Sequence, residues 1–219
     1  ARMLASKHGL DPTLLHIDLL ECQDRILKNL PERASRIAEE RLRSLGVNVL
    51  LNQCLQKEEG EKIFVRDGEI STSTVIWTAG VRGHPLLQET VGMSVDQKGR
   101  VSVDGLLEAV GQKNIFVIGD GAATAYSGMA QTALYDANFV AEVIEAKMKD
   151  QALPTYAPSA PITRVPIGNK WALYVKNERI ITGYWGWILR RFADLRVFMK
   201  LLPFTKALRV FRCGCKSGQ

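Results

Sequence analysis

Acidic residues nearly vanish from the last quarter of this chain. Between residues 164 and 219 only Glu178 and Asp194 are acidic, against 12 Lys and Arg. The first 163 residues hold 21 acidic and 17 basic side chains, so the balance runs from −4 to +10 within a total of +6. A region so depleted in one sign is built for an anionic partner: a membrane surface, a nucleic acid or another protein. Long apolar runs are also missing; none reaches the ~20 residues that a spanning helix needs. The start, "ARMLASKHGLDP", has no apolar signal core and no initiator Met; it reads as the end of a helix already under way, and a fragment of a longer protein is expected. Cysteine is scarce. Cys22, Cys54, Cys213 and Cys215 form no CxxC and stand near no pair of histidines, which argues against zinc and thioredoxin-type chemistry; reduced thiols are the expectation. His8, His16 and His84 are scattered, so no metal site and no His-based catalysis is expected. No GxGxxG phosphate loop is present. What remains, 46% hydrophobic and 24% charged, is ordinary for a chain that buries a core.

Patterning predicts a helix over 1–10, a buried strand over Leu14 to Glu21, and a helix from Pro31 to Gly46 with Pro at its start and Gly past its end. Three strands follow in "VNVLLNQCLQKE", "EKIFVRDG" and "EISTSTVIWTAG", with turns at Glu59-Gly60 and Asp67-Gly68. After Gly80 the chain is turn-rich, with short strands at Arg100 to Val103 and at "IFVIGD". A helix begins near Met129, and its packed face is expected along Ala130, Ala133, Leu134, Ala137 and Val140/Ala141. "ALPTYAPSAPITRVP", with four prolines, reads as a linker or an extended crossing segment. A hairpin is expected around Lys176-Asn177-Glu178, then a helical tail interrupted at Pro203.

Three features carry chemistry. Glu21 ends a strand, where a carboxylate can accept hydrogen bonds from an adenosine ribose diol and repel a 2′-phosphate; a solvated strand-end Glu is the plain alternative. Asp120 follows Gly119 at the end of "IFVIGD", ahead of a helix whose start acts as roughly half a positive charge. Its plain alternative is a turn residue capping a helix. The tail interleaves Arg190, Arg191, Arg196, Lys200, Lys206, Arg209 and Arg212 with Trp185, Trp187, Phe192, Phe198, Phe204 and Phe211. That is the pattern of a helix lying in a membrane interface, and each cation near an anionic leaflet contributes ~1 kcal/mol. Alternation with large aliphatics disfavours nucleic acid. Docking on the protein's own core or on a second subunit is the other reading.

"LLECQDRILKNLPERASRIAEERLRSLGVNVLLN", "VIWTAGVRGHPLL", "IFVIGDGAA" and "GMAQTALYDANFVAEVI" come in the order found in two-dinucleotide flavoproteins. The chain resembles the type II NADH dehydrogenases, the NADH:quinone oxidoreductases of the pyridine nucleotide-disulfide oxidoreductase superfamily. The resemblance implies an α/β, partial two-dinucleotide-binding (Rossmann-like) flavoprotein fold with a C-terminal amphipathic helical tail. It divides the chain into part of an NAD(H)-binding domain (1–78), part of a FAD-binding domain (79–163) and a hairpin with a basic membrane-association tail (164–219). It implies FAD and NAD(H) as cofactors, with hydride passing from NADH to flavin and electrons to quinone. Glu21 would hold the NADH ribose. Thr78, Ala79 and Gly80 would line the cofactor where the chain crosses between domains. Gly119 and Asp120 would hold the flavin ribityl and pyrophosphate region. Ala130 and Gln131 would sit by the isoalloxazine near the quinone. One helical turn after Gln131, where the family often has a second glutamine, stands Tyr135, which can still hydrogen-bond and stack. The implied location is peripheral, on the cytoplasmic face of the cell membrane, through residues 185–212. With the glycine-rich loops missing, the chain by itself is expected not to retain FAD. The alternatives are a soluble FAD-dependent NAD(P)H reductase whose tail is a homodimer interface, and a non-catalytic fragment that binds a membrane or partner.

Overall fold

The computed structural model describes residues 8, 9 and 11–216; the helix expected over 1–10 lies almost entirely outside them. The chain divides into two compact units, residues 1–75 with 162–219, and residues 76–161.

The first unit begins with a β-α-β element. Strand β1 (Asp18–Glu21) pairs in parallel with β2 (Asn48–Leu51), Glu21 opposite Leu51, and helix α1 (Glu32–Ser44) connects them. Leu14 is three-quarters exposed, so β1 starts four residues later than expected. Gly46 follows α1 with φ 74°, and its N–H donates to the Arg43 carbonyl at 2.9 Å, the left-handed helix ending that glycine permits. Next comes an antiparallel meander of β3 (Leu55–Glu59), β4 (Lys62–Val65) and β5 (Gly68–Ser71). The expected first strand of this region splits in two, because Asn52 turns left-handed (φ 58°) and Cys54 bonds to Cys22. That disulfide corrects the expectation of reduced thiols. The third expected strand stops at Ser71; "VIWTAG" runs on without regular structure, leaving Ile76 and Trp77 exposed.

The segment read as a linker contains a strand. β6 (Thr163–Pro166) pairs with β7 (Ala172–Lys176), which pairs with β8 (Arg179–Ile181) across the expected turn, Asn177 having φ 52°. Pro166 is tolerated because it closes an edge strand. This sheet joins α1 and β2 in one core: Ala34, Ala38 and Val49 pack with Ile167, Leu173 and Val175. The Arg41 guanidinium lies 5.5 Å from the centre of the Trp171 ring. Two helices finish the chain, α4 (Gly183–Leu201) and α5 (Phe204–Lys216), separated at Leu202-Pro203 as the sequence predicts. The short α2 (Pro85–Glu89) and the long α3 (Ala130–Met148) belong to the second unit. Gly186 lets α4 approach β7: a Cβ there would lie 2.2 Å from the Ala172 carbonyl oxygen.

The second unit has helices α2 and α3 but only isolated bridges in place of strands, among them Val95 to Val101, Val101 to Ala122, and Glu108 to Phe116. Both short strands expected here, Arg100 to Val103 and "IFVIGD", reduce to such single bridges. Each lacks a continuous partner among the described residues, and Ile115 and Ile118 are about two-fifths exposed. The buried face of α3 is Thr132, Asp136, Phe139, Val140, Val143 and Ala146; of the expected face Val140 is buried, while Ala130, Ala137 and Ala141 are exposed. The true face is centred on an aspartate, which an apolar pattern leaves out. No described helix is long and apolar enough to cross a membrane.

Candidate functional site

The Gly119-Asp120-Gly121 segment forms one tight turn, with Ala122 N–H returning to the Gly119 carbonyl at 3.2 Å. Gly119 adopts φ 61°, and a Cβ on it would meet the Ala133 Cβ at 3.1 Å, so glycine suits both the backbone and the approach of α3. Hydrogen bonds fix the turn from both sides. The Gly121 carbonyl accepts from Val101 N–H at 2.8 Å, and the Val101 carbonyl accepts from Ala123 N–H at 2.8 Å. On the other side Gly119 N–H donates to the Asp136 carboxylate at 3.0 Å.

Asp136 is fully buried, and its second oxygen accepts from the Tyr156 hydroxyl at 2.7 Å. Burial, with the Asp136 carboxylate beside it, pushes the Tyr156 phenol up to about 12. The result is a separation of roles. Asp136 anchors the turn, while Asp120 is exposed and has no hydrogen bond or ion pair among the described residues. Helix α3 begins nearby at Ala130, and Met129, its N-cap, supplies no side-chain hydrogen bond. A free carboxylate, a glycine that admits close approach and a helix start without a side-chain cap are a donor and acceptor set that fits one side of a flavin's ribityl and phosphate region. No phosphate-cradling glycine loop accompanies them in the sequence.

Ala130 and Gln131 are exposed in the first turn of α3, and Tyr135 follows one turn on. The Tyr135 hydroxyl accepts from Ala157 N–H at 3.2 Å, and its ring centre lies 5.7 Å from that of Tyr156. Tyr156 also meets Phe139 edge-on at 5.1 Å, so the proline-rich segment is held to α3 through two tyrosines. Thr78, Ala79 and Gly80 are exposed; Gly80 has φ 92° and its N–H donates to the Thr78 carbonyl at 2.8 Å.

In the first unit, Glu21 stands half-buried at the carboxyl end of the parallel pair β1 and β2. Its carboxylate accepts from Gln23 N–H at 2.9 Å, and its carbonyl from Gln53 N–H at 2.9 Å. Its other carboxylate oxygen has no hydrogen-bond partner among the described residues and is open to a diol. The tail presents a distinct surface. Trp185, Phe192 and Met199, spaced by seven residues on one side of α4, are exposed, as are Phe204 and Val210 on α5. Arg196, Lys200, Lys206, Arg209 and Arg212 are exposed among them. Arg191 is turned inward, donating to the Phe211 carbonyl and lying 4.1 Å from the centre of its ring.

Asp136, Tyr156, Gly186 and the Cys22–Cys54 pair are the structural finds that sequence reading missed. The signal for Asp136 was its place one and two turns from Thr132, Phe139, Val140 and Val143, a helical period that only an aspartate completes.

Residues 3–137 match the pyridine nucleotide-disulphide oxidoreductase family. The chain is 29% identical over 171 residues to the type II NADH:quinone oxidoreductase of Haemophilus influenzae, covering 75% of this chain and 38% of that protein. It is 25% identical over 209 residues to the Staphylococcus haemolyticus type II NADH:quinone oxidoreductase, covering 90% and 52%. The structure of NDH2 from Plasmodium falciparum in complex with NADH superposes with a TM-score of 0.80 at 14% identity, over 97% of this chain and 59% of that one. The sulfide:quinone oxidoreductase of Aquifex aeolicus gives 0.68 at 16% identity, over 86% and 50%. These last two likenesses concern the fold, which is the expected α/β, Rossmann-like one with C-terminal helices. The chain spans about half or less of the length of these curated relatives. With more than half of its residues matched, the chain belongs to the pyridine nucleotide-disulphide oxidoreductase family.

Proposed function

We propose that this chain is the part of a FAD-dependent NADH:quinone oxidoreductase that holds the NADH ribose, one side of the flavin and the membrane contact. The observation that carries the reading is the Gly119-Asp120 turn, clamped by buried Asp136 so that an unpaired carboxylate stands beside the start of α3. The similarity to type II NADH:quinone oxidoreductases supports it. FAD, when bound, supplies the acceptor for hydride from NADH and the donor of electrons to quinone. The chain's own residues bind and orient. Asp120 accepts hydrogen bonds from ribityl hydroxyls, and Gly119 leaves room for the flavin chain. The start of α3, at Ala130 and Gln131, places its positive end toward negative charge on the ring, with Tyr135 lining the acceptor side. Thr78, Ala79 and Gly80 line the cofactor at the crossing between 1–78 and 79–163. Glu21 accepts from the adenosine ribose and repels the 2′-phosphate of NADPH. In the enzyme that contains this chain, Asp120→Ala lowers bound flavin by about tenfold or more, the loss of a hydrogen bond to a charged group. Unchanged flavin content removes Asp120 from the site.

The tail, residues 185–212, lies on the cytoplasmic face of the cell membrane. Its support is the exposed apolar stripe of α4 and the surrounding cations. The protein floats with anionic vesicles and releases at high salt or on Trp185→Glu with Phe192→Glu. Unaltered flotation by the double variant, or a salt-independent dimer lost on the same changes, assigns the stripe to a second copy instead.

A further inference from the structure

Cys22 follows Glu21 directly and is exposed; Cys54, half-buried, bonds to it from the loop after β2. We propose that this pair is a reversible thiol–disulfide switch that sets the affinity of the dinucleotide site, a proposal that rests on the reading of Glu21 as the ribose carboxylate.

Three observations converge. The bond joins the two loops that leave the carboxyl ends of the parallel strands, and Glu21 lies between strand and bond. The loops are tied independently of sulfur: Asn52 N–H donates to the Gln23 carbonyl at 2.9 Å, and Gln53 N–H to the Glu21 carbonyl at 2.9 Å. Arg25 fastens the rest of the first loop, donating to the Leu30 carbonyl at 3.0 Å, the Lys28 carbonyl at 2.7 Å and the Ser35 hydroxyl at 2.6 Å. Reduction therefore leaves the two thiols facing each other, at the high effective concentration that makes closure reversible. Cys22, the exposed residue of the pair, is also the one that a small thiol or disulfide would approach.

The chemistry balances with a low-molecular-weight disulfide as oxidant. The Cys22 thiolate attacks one of its sulfurs, forming a mixed disulfide and releasing one small thiol. The Cys54 thiolate then displaces the second small thiol and forms the Cys22–Cys54 bond. Two protein thiols are oxidised, one external disulfide is reduced to two thiols, and a small thiol reverses both steps.

The consequence falls on Glu21. In the bonded form Cys22 and Gln23 are held against residues 52–54, and the Glu21 carboxylate is kept on Gln23 N–H at 2.9 Å. Reduction removes only the side-chain tether on Cys22, the backbone bonds keeping the loops together, and the Glu21 carboxylate can then leave Gln23 N–H and engage both ribose hydroxyls. The oxidised protein binds NADH about tenfold more weakly, the share of one hydrogen bond to a charged group.

The test equilibrates the enzyme that contains this chain in glutathione buffers from reducing to oxidising, alkylates, and maps the cysteine peptides by mass. NADH affinity is measured on the same samples and on Cys22→Ser, with Cys54→Ser as an independent variant. A Cys22–Cys54 link that forms and opens with the buffer, weaker NADH binding in the linked form, and buffer-independent tight binding in both variants are expected. Both cysteines alkylated at every ratio, or a link that survives the most reducing buffer, overturns the switch. Equal NADH affinity across a link that does form overturns its effect on the site. No NADH binding in any state or variant fails the ribose reading itself, while the peptide map still reports the pair.

Discussion

The two units hold their loops by different means. In the first, among the described residues, backbone pairs with backbone: eight strands in three sheets, with turns of two residues between β4 and β5 and between β7 and β8. In the second, among the described residues, aspartate side chains do much of what ladders do elsewhere. Asp96 accepts from Lys98 N–H at 2.8 Å, Arg100 N–H at 2.9 Å and Arg100 Nε at 2.8 Å. Asp104 accepts from Leu106 and Glu108 N–H, each at 2.9 Å, and Asp136 from Gly119 and Tyr156. A ladder spreads its stability over many weak bonds; a side-chain clamp concentrates it in one residue. The second unit should therefore fail at single positions that the first has no counterpart for.

The largest effect expected is at Asp136. Asp136→Ala leaves the Gly119 N–H and the Tyr156 hydroxyl without their acceptor, a cost of about 4 kcal/mol. Hydrogen exchange, resolved by unit, should show protection lost over 101–123 and 130–143 and kept over β1, β2 and β7. Uniform loss across both units would erase the contrast. Next, Gly186→Ala should destabilise the first unit by about 2 kcal/mol, because the new methyl meets the Ala172 carbonyl oxygen. Denaturant unfolding monitored by Trp171 and Trp187 fluorescence would check it.

Two smaller effects are read by pH. The Tyr156 phenol, raised to about 12, is held protonated by the folded state. Its contribution is complete below the free-phenol value near ~10 and is lost as pH climbs toward 12. Phenolate absorbance should show a late phase near 12 that Tyr156→Phe removes. The Asp96 carboxyl is held below the ordinary aspartate value, chiefly by the Arg100 side chain. Its contribution is present above that ordinary value and is lost as pH falls through the lowered one. Asp96→Asn should lower the neutral plateau of the stability curve and flatten its acid limb, the two proteins converging at low pH.

The same contrast explains what could be read beforehand. Helix α1, the β4–β5 turn and the hairpin at Asn177 were legible because period, glycine or asparagine and turn length agree locally. "IFVIGD" has the composition of a buried strand, yet pairing is a property of two segments, and a single bridge at Phe116 is all it makes among the described residues. Asp120 drew attention as a carboxylate after a glycine, while the carboxylate that fixes the turn lies sixteen residues further on, inside what looks like the apolar side of a helix. Buried polar clamps of this kind break the hydrophobic pattern where they matter most. β6 was hidden for the opposite reason: the four prolines of residues 152–166 read as a linker or extended crossing, and only an edge position makes Pro166 acceptable.

The first unit is assembled from the two ends of the described chain, and this has a consequence for its synthesis. Arg41 meets Ile167 across 126 positions of sequence, and Ala34 packs in the same core as Leu173. As the polypeptide emerges from the ribosome, β1, α1 and β2 must wait, with one face uncovered, until the strands after residue 162 have been made. The intervening residues 76–161 lie together in sequence and need no such delay. Folding order thus runs against chain order: the segment made first is completed last, and a ribosomal pause or truncation before β7 would leave Ala34, Ala38 and Val49 open to chaperones or to aggregation.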